Sequence, residues 1–372
     1  MIGGGPAGAT AAADLARGGV EVVLFHADPA RGEKPCGGGV TLKAYRDRPE
    51  LRDLDVGATD VRRVCFVSPR GRRVVVETER EPFFSLCSRA RLDAALRARA
   101  QAAGAHIVEG RVADVHLEAG GAVIVGAAGT ERFDLAIGAD GAFSMLRRRL
   151  FGPPPREYLC PAIDAVVTGI DPADGVTLAF YSGVTGYLWA FPRHDGASVG
   201  IVAREGELAG DAMRERIRDF LASRHPEATI RRSQGWVIPA PDERGELSSP
   251  IAGPGWLLVG DAAGIADPIT GEGIYHAIRT GALAAEACLV GDPASYPERV
   301  ARDLQSELAF SGRWARRYFR ARYVEAVLLA ARFSKGVREI LADLMSGRER
   351  YAGLERRIRS QLGLLGWLLM QL

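Results

Sequence analysis

The chain has 372 residues, of which 25% are charged and 47% are hydrophobic, and its formal net charge is +2. This length predicts two domains or one elaborated α/β unit, and the composition excludes disordered, collagen-like and coiled-coil proteins. Five scattered cysteines without a CxxC pair, and six histidines without ligand spacing, predict neither a disulfide framework nor a metal site. We find no signal-peptide pattern and no apolar run of about 18 residues, so we expect a cytoplasmic protein without a membrane-spanning helix.

The start of the chain predicts a β-turn-α-β unit that binds a dinucleotide. Gly3, Gly5 and Gly8 fit the pattern G-x-G-x-x-G, residues 9–17 are strong helix formers, and residues 20–25 read as a buried parallel strand. In such a unit the first glycine permits a tight turn, the second lets the backbone approach a pyrophosphate, and the third lets helix and strand pack closely. The N-terminus of the helix then presents unpaired N–H groups to the phosphates.

Two features depart from this fingerprint. Only Met1 and Ile2 precede the glycines, where about five strand residues are expected, so either translation starts upstream or the sheet lacks most of its central strand. His26 stands at the end of the second strand, where an acidic residue usually binds a ribose hydroxyl, and Asp28 follows it. A neutral imidazole accepts one hydrogen bond, so His26 is a candidate cofactor ligand, with an ordinary loop residue as the alternative.

Further along the chain, helical segments alternate with strand-rich segments. Residues 27–55 are polar and rich in Pro and Gly, and they read as a long loop. The other predicted elements are a hairpin over 61–78, a helix over 89–103, strands within 112–137, strands at 176–181, 187–191 and 197–203, a helix near 211–224, a strand at 256–259, a helix over 274–289, and helices after Pro297.

This order predicts an α/β protein in which a discontinuous Rossmann-type domain is interleaved with an antiparallel β domain and followed by C-terminal helices. The three consecutive prolines at 153–155 mark a crossing between domains. The predicted division gives 1–60, 88–155 and 250–296 to the Rossmann-type domain, 61–87 and 156–249 to the β domain, and 297–372 to the helical region.

Three glycine-rich segments follow the dinucleotide motif. They are residues 33–39 (Glu-Lys-Pro-Cys-Gly-Gly-Gly), residues 138–144 (Gly-Ala-Asp-Gly-Ala-Phe-Ser) and residues 260–274, which begin Gly-Asp-Ala-Ala-Gly and end Gly-Glu-Gly-Ile. Each alone is an ordinary turn signal. Together and in this order, they resemble the flavoprotein hydroxylase-like superfamily, whose members hold one FAD.

Within that superfamily the sequence resembles the geranylgeranyl reductase family over nearly its whole length, most specifically at residues 34–38, 187–192 and 268–274. The resemblance implies that Arg89 contacts FAD, that the backbone of Val112 meets the adenine, and that Asp261 meets the ribityl chain. The cofactor-binding residues implied by the resemblance and the glycine motif are Gly3, Gly5, Ala7, Gly8, His26, Pro35, Cys36, Gly37, Arg89, Val112, Asp261, Gly273 and Ile274.

The same resemblance implies that Tyr187, Trp189 and Phe191 line an apolar substrate channel. Alternate residues of a strand share one face, so these three aromatic rings can form a continuous wall. Without the resemblance they read as ordinary core of the β domain. The family often has proline three residues before the tyrosine, where this chain has Val184, and this difference bears on the substrate subgroup.

The implied activity is reduction of carbon–carbon double bonds in a prenyl or polyprenyl chain by reduced FAD. NAD(P)H and ferredoxin are both open as electron donors. Cys36 is the candidate catalytic residue, because neighbouring N–H groups favour a reactive thiolate, although a small space-filling role is equally open. The alternatives are an FAD monooxygenase of an aromatic or polyketide substrate, and a degenerate, non-catalytic FAD-binding protein.

The C-terminal part combines basic and apolar character. Residues 299–359 hold fifteen Lys or Arg against seven Asp or Glu, and residues 362–372 contain only one polar side chain. Since a solvated helical surface accounts for the arginines, we expect no nucleic-acid partner. A basic region beside a Trp/Leu-rich segment also fits peripheral contact with the inner face of a membrane, where a polyprenyl lipid would be found. Packing of the leucines onto the protein's own helices is the alternative.

Overall fold

The computed structural model describes residues 1–27, 34–126, 129–348 and 350–371. They form two compact units. The first contains Met1–Lys34, Arg89–Tyr158 and Ile238–Leu308, and the second contains Pro35–Ser88, Leu159–Val237 and Ala309–Leu372. The sequence-based division into three regions stays a prediction beside these two units.

The helices and strands of the described residues confirm the predicted α/β class. The helices are α1 (Pro6–Arg17), α2 (Leu42–Asp47), α3 (Arg89–Ala102), α4 (Met145–Phe151), α5 (Gly210–Arg224), α6 (Ile274–Leu289), α7 (Tyr296–Tyr318), α8 (Ala321–Phe333), α9 (Lys335–Ser346) and α10 (Tyr351–Gln371). The strands are β1 (Val23–His26), β2 (Gly39–Thr41), β3 (Thr59–Val61), β4 (Arg63–Val67), β5 (Arg73–Glu77), β6 (Phe84–Leu86), β7 (His106–Glu109), β8 (Asp114–Glu118), β9 (Gly121–Gly126), β10 (Gly129–Phe133), β11 (Ala136–Gly138), β12 (Leu159–Thr168), β13 (Val176–Ala179), β14 (Gly186–Arg193), β15 (Gly196–Ala203), β16 (Thr229–Pro239), β17 (Ala252–Gly253) and β18 (Trp256–Leu258).

The first unit is built on a sheet whose centre is the start of the chain. Strand β1 pairs in parallel with β7, β11 pairs in parallel with β18, and Ile2 bridges Phe25 of β1 and Gly138 of β11. Residues 1–3 supply the backbone bonds of this central position, including Ile2 N–H to Ile137 O and Gly3 N–H to Phe25 O, both 2.9 Å. Three residues therefore occupy the position for which the sequence analysis expected a longer strand.

Helix α1 leaves this strand and packs closely against α6. A Cβ added at Gly281 of α6 would lie 2.3 Å from the carbonyl oxygen of Ala7. Ala9 and Ala11 of α1 and Ala284 and Ala285 of α6 are fully buried. Small residues let the two backbones approach, and this fixes α1 over the sheet.

The second unit contains a seven-stranded sheet in the order β16-β12-β15-β14-β13-β4-β5. One face of it packs on α5 through a core that includes Leu188, Ala190, Ile201, Met213 and Ile217. The alternate residues of β14 are on the opposite face, which is rich in aromatic rings. The predicted hairpin over 61–78 is confirmed as the antiparallel pair β4 and β5.

After β18 the described residues up to Gln371 are mainly helical, as the sequence predicts. α10 has non-helical geometry at Gly363, and a Cβ at Gly366 would lie 2.3 Å from Ile358 O, so the helix turns back on itself there. Much of the predicted apolar run lies outside the described side chains: Leu364, Leu365, Trp367, Leu368, Met370 and Leu372. None of the helices in the described ranges combines the length and apolar character needed to cross a bilayer.

The prediction of a long loop over 27–55 is wrong for its second half. Residues 39–53 contain strand β2, helix α2 and a short 3-10 helix at Pro49–Asp53. β2 is only three residues long, and it exists because β6, more than forty residues away, pairs with it. Such a strand leaves no periodic signal in the sequence, because its stability comes from the partner strand rather than from local propensity.

The tight helix pair makes a testable prediction about stability. We expect Gly281→Ala to lower the free energy of unfolding by about 1–3 kcal/mol, because the new methyl group overlaps Ala7 O and forces α1 and α6 apart. Gly210→Ala in α5 is the matched control, since its Cβ would be 3.5 Å from the nearest atom, a guanidinium nitrogen of Arg214. Thermal unfolding of both variants tests this, and an unchanged Tm for Gly281→Ala would contradict it.

Candidate functional site

The glycine motif forms a turn in which side chains are excluded. Gly3 has φ +105°, and a Cβ there would lie 2.4 Å from Ala139 O. A Cβ at Gly8 would lie 2.0 Å from Gly3 O. The turn therefore depends on these two glycines, and it brings the first turn of α1 to the carboxyl ends of β1 and β11.

The N-terminus of α1 is open beside a buried arginine. Gly5 caps the helix without a side-chain bond, and among the described residues outside its chain neighbours a Cβ added there would meet only a guanidinium nitrogen of Arg89, at 4.0 Å. Arg89 is 5% exposed and is held by Asp93 of α3 through two bonds of 3.0 and 2.9 Å. Unpaired N–H groups and a fixed guanidinium are the groups that bind a pyrophosphate.

His26 and a second arginine lie around the same turn. A Cβ at Gly4 would lie 2.8 Å from Cδ of Arg97 and 3.1 Å from Cγ of His26, and Arg97 donates to Gly4 O at 3.2 Å. Burial lowers the pKa of Arg97. Gly110 N–H donates to His26 O at 2.8 Å, so the loop that follows β7 and carries Val112 starts beside the end of β1. Asp28, which follows His26 in the fingerprint, lies outside the described residues.

Asp261 is part of an ion pair that the sequence analysis did not find. Its Oδ2 accepts a hydrogen bond from Nζ of Lys34 at 2.7 Å, and its Oδ1 lies 3.3 Å from the position of a Cβ at Gly273. Gly273 caps α6, whose first residue is Ile274. Asp261 thus stands between the ammonium group of Lys34 and the N-terminus of α6. In the sequence, the one indication that Lys34 belongs to the site is its place directly before Pro35 in the glycine-rich segment of residues 33–39.

Asp140 of the Gly-Ala-Asp-Gly segment offers a buried acceptor. Its Oδ2 accepts from Met145 N–H at 2.6 Å, while its Oδ1 is buried and makes no hydrogen bond within the described residues. Burial raises the pKa of this carboxyl group. A Cβ at Gly141, the next residue, would lie 3.8 Å from Nζ of Lys34. An unsatisfied acceptor suits a ligand with hydroxyl donors.

The loop before α6 is held by two side chains that the sequence analysis also missed. Oδ1 of Asp267, which is 4% exposed, accepts from Ile269 N–H at 2.9 Å and from Thr270 N–H and Oγ1 at 2.7 and 3.0 Å. The ring Nδ1 of buried His276 lies 2.7 Å from Glu272 O. These bonds fix the backbone that leads to Gly273. An Asp followed by backbone donors two and three residues later is an Asx-turn, and that pattern was the available signal.

In the second unit, the Pro-Cys-Gly-Gly loop contacts the aromatic strand. A Cβ at Gly37 would lie 2.5 Å from the ring of Phe191, and Gly38 has φ +76° with its Cβ position 2.0 Å from Cys87 O. Gly38 N–H donates to Sγ of half-buried Cys36 at 3.4 Å. Two motifs that are distant in the sequence are therefore neighbours within this unit.

Tyr187, Trp189 and Phe191 form a continuous aromatic face, as the alternation in β14 predicts. Neighbouring ring centroids are 6.2 and 6.5 Å apart, and Tyr187 also stacks on Phe319 at 6.4 Å. Trp189 donates its indole N–H to Ser198 at 2.8 Å, and its ring fills the space over Gly200. A small apolar cavity beside this face is lined by Phe66, Phe180, Tyr318, Tyr323, Val324, Val327, Leu328 and Leu341.

Comparison with known proteins identifies the chain's class. The profile of the family described as "FAD binding domain" matches residues 1–286. A geranylgeranyl diphosphate reductase of Rhodobacter capsulatus is 32% identical over 78% of this chain and 74% of its own. A menaquinone reductase of Mycobacterium tuberculosis is 33% identical over 77% and 75%. The chain belongs to the geranylgeranyl reductase family of FAD-dependent oxidoreductases.

Solved structures support the same fold. A geranylgeranyl bacteriochlorophyll reductase-like protein of Thermoplasma acidophilum superposes with a TM-score of 0.78 over 96% of this chain and 97% of its own, at 22% identity. A flavin-dependent brominase superposes with a TM-score of 0.75 over 97% of both chains, at 20% identity. At such identities the likeness shows the architecture alone, so the chemistry depends on the site.

The residues present fit FAD. The N-terminus of α1 with Arg89 suits the pyrophosphate, and the unsatisfied Oδ1 of Asp140 and the carboxyl group of Asp261 suit hydroxyl groups of the cofactor. The N-terminus of α6 at Gly273 suits the carbonyl end of a flavin, where negative charge develops on reduction. Among the described residues, no group of three or more His, Cys, Asp or Glu side chains is arranged to hold a metal ion.

Removal of the Asp261 carboxylate is expected to weaken cofactor binding. Asp261→Ala loses an acceptor and leaves Lys34 without this partner, so we expect the Kd for FAD to rise by about ten- to a hundredfold, which corresponds to about 1–3 kcal/mol. Asp55→Ala, at an exposed loop position, is the control. Titration of the apoprotein by flavin fluorescence measures both, and equal Kd values would contradict the assignment.

Asp267 is expected to act through its Oδ1, which accepts three hydrogen bonds from the loop. Asp267→Ala removes three hydrogen bonds from the loop, so we expect FAD affinity to fall about tenfold and the visible flavin spectrum to change. Asp267→Asn keeps a carbonyl oxygen in the same place and should stay close to wild type. If the asparagine variant is as impaired as the alanine variant, the negative charge and not the acceptor is what matters.

Proposed function

We propose that this oxidoreductase reduces carbon–carbon double bonds of a prenyl or polyprenyl chain. The observation that carries the proposal is the contact of the Pro-Cys-Gly-Gly loop with the aromatic face of β14, where Gly37 touches Phe191. The loop is the one that the family resemblance assigns to FAD, and the face is the one that it assigns to substrate. The names of the curated relatives support the same class of reaction.

These contacts suggest separate roles for the cofactor and for the protein's side chains. FAD, when bound and reduced, supplies the hydride for one carbon of the double bond, and a proton completes the other carbon. The aromatic face of Tyr187, Trp189 and Phe191 excludes water and orients an apolar chain. The bond from Trp189 to Ser198 fixes the central ring of that face. Cys36 stays the candidate catalytic residue, with its sulfur oriented by Gly38 N–H.

Several substrates fall within this class. The curated relatives are named for geranylgeranyl diphosphate, a digeranylgeranylglycerophospholipid and menaquinone, all of them at similar identity to this chain. We propose a polyprenyl lipid or another apolar small molecule, with NAD(P)H or ferredoxin as the electron donor. The predicted contact with a membrane belongs to the same proposal.

Monooxygenase or halogenase chemistry is the second candidate, because the brominase shares this fold. The sequence offers no suitably placed catalytic lysine for a halogenase among its three lysines. Lys34 is paired with Asp261, Lys43 packs against Gly347, and Lys335 is 84% exposed on α9. The aromatic face is equally compatible with an aromatic substrate, so dependence on oxygen is the property that separates the two candidates.

The test is anaerobic reaction of the FAD-loaded protein after reduction by dithionite. Geranylgeranyl diphosphate, a menaquinone and an unsaturated archaeal-type lipid are supplied separately, and the products are analysed by mass spectrometry. We expect a gain of two hydrogens for each double bond reduced, without oxygen. Product formation that requires oxygen and adds an oxygen or halogen atom would support the second candidate instead.

The aromatic face predicts a selective effect on substrate binding. Tyr187→Ala removes a half-buried ring that stacks on Phe319, so we expect the KM for a polyprenyl substrate to rise about tenfold while FAD affinity is unchanged. Tyr181→Ala is the matched control, because Tyr181 packs on the other core of this unit and contacts Arg216. Equal KM changes in the two variants would contradict the role assigned to the face.

A further inference from the structure

Helix α8 ends in an exposed apolar surface. Phe333 is 78% exposed, more than any other large hydrophobic residue described, and Leu329, one turn earlier, is 43% exposed. Arg332 lies with its guanidinium carbon 5.7 Å from the centre of the Phe333 ring. Lys335 follows at the start of α9 with 84% of its side chain exposed. We call Leu329, Arg332, Phe333 and Lys335 the α8 tip.

The other sides of α8 pack against, or form hydrogen bonds with, residues of the same unit. Val324 and Leu328 are buried beside the aromatic cavity. Oε1 of Glu325 accepts from Arg70 N–H at 2.8 Å, and its other oxygen lies 3.6 Å from Nε of Arg72, which fixes α8 on the turn between β4 and β5. Leu329 and Phe333 are four residues apart and therefore share the remaining, outward side. Their exposure follows from the way the helix is anchored.

Positive charge surrounds this surface. Arg322, Arg332 and Lys335 are exposed around Leu329 and Phe333. Of the nearby carboxylates, Glu325 is engaged by the β4–β5 turn, and Glu339 lies 3.8 Å from Lys335. An exposed phenylalanine and leucine can insert among lipid headgroups, and neighbouring cations are attracted to the phosphates of an anionic bilayer.

The C-terminal apolar segment starts beside this surface. A Cβ at Gly336, next to Lys335, would lie 3.1 Å from a methyl carbon of Leu362 in α10. Leu362 is the first residue of the apolar run that the sequence analysis connected with a membrane. The α8 tip and the start of that run are therefore neighbours in the second unit, although almost thirty residues separate them in the sequence.

We propose that the α8 tip docks this protein on an anionic phospholipid bilayer. The choice of a bilayer rests on the proposed function, because a polyprenyl substrate is found there, and on the match of charge and exposed apolar area. Phe333 and Leu329 enter the boundary between headgroups and acyl chains, while Arg332 and Lys335 bind lipid phosphates. Contact through this surface brings the unit that holds the aromatic face to the membrane.

The experiment is sedimentation of the full-length, FAD-loaded protein with vesicles of phosphatidylcholine alone or mixed with phosphatidylglycerol. We expect binding to the anionic vesicles and little binding to the neutral ones. Phe333→Ser should lower the partition coefficient about tenfold, and loss of both cations in Arg332→Gln/Lys335→Gln should lower it about fivefold for each charge. All four positions are exposed, so the variants should retain their fold and their FAD absorbance.

Val290→Ser is the matched control, because Val290 is 65% exposed at the end of α6 in the first unit. It should bind vesicles as wild type does. The proposal is overturned if Phe333→Ser binds as tightly as Val290→Ser, if neutral vesicles bind equally well, or if no vesicle binds. Self-association that Phe333→Ser abolishes, without vesicle binding, would assign the surface to a second copy of the chain instead. None of these readouts uses turnover, so the reductase proposal is tested separately, by activity on detergent-dispersed substrate.

Discussion

The close approach of backbones around α1 is the constraint on which the cofactor site depends. Gly8 touches Gly3 O, Gly3 touches Ala139 O, and Gly281 touches Ala7 O, each at distances that exclude a Cβ. Because no side chain separates them, the start of α1, the central residues 1–3 and helix α6 form one rigid assembly. Arg89, Asp140 and Asp261 are placed around the two helix N-termini by this assembly, and cofactor chemistry follows from their position.

Charge distribution in the first unit complements that geometry. Lys34 pairs with Asp261 on one side at 2.7 Å, and the N-terminus of α6 lies on its other side. Asp140 accepts from Met145 N–H at the start of α4, and burial raises the pKa of its carboxyl group. Both aspartates follow a glycine-rich strand end, and they differ in their partners, a lysine side chain for Asp261 and a backbone N–H for Asp140. This difference suits a ligand that presents hydroxyl donors along its length.

The sequence allowed prediction of what local chemistry determines. Three features were predicted correctly: the turn at the glycine motif, the helix of residues 274–289 and the alternation of side chains in β14. They were predictable because periodicity and turn residues encode them locally. Contacts between distant residues were not predictable: Lys34 meets Asp261 across 227 positions, and β2 forms only because β6 pairs with it. The anchoring of α8 by Glu325, which leaves Phe333 outward, likewise depends on a turn far away in the chain.

Anaerobic titration of the reduced, FAD-loaded protein with a polyprenyl substrate tests the central claim most directly. Each double bond that is reduced takes two electrons, so flavin absorbance should return in proportion to the product, and the product should contain two additional hydrogens for each oxidised flavin. This stoichiometry is what the account predicts. Flavin that stays reduced with every prenyl substrate, and reoxidises only when oxygen enters, would contradict it.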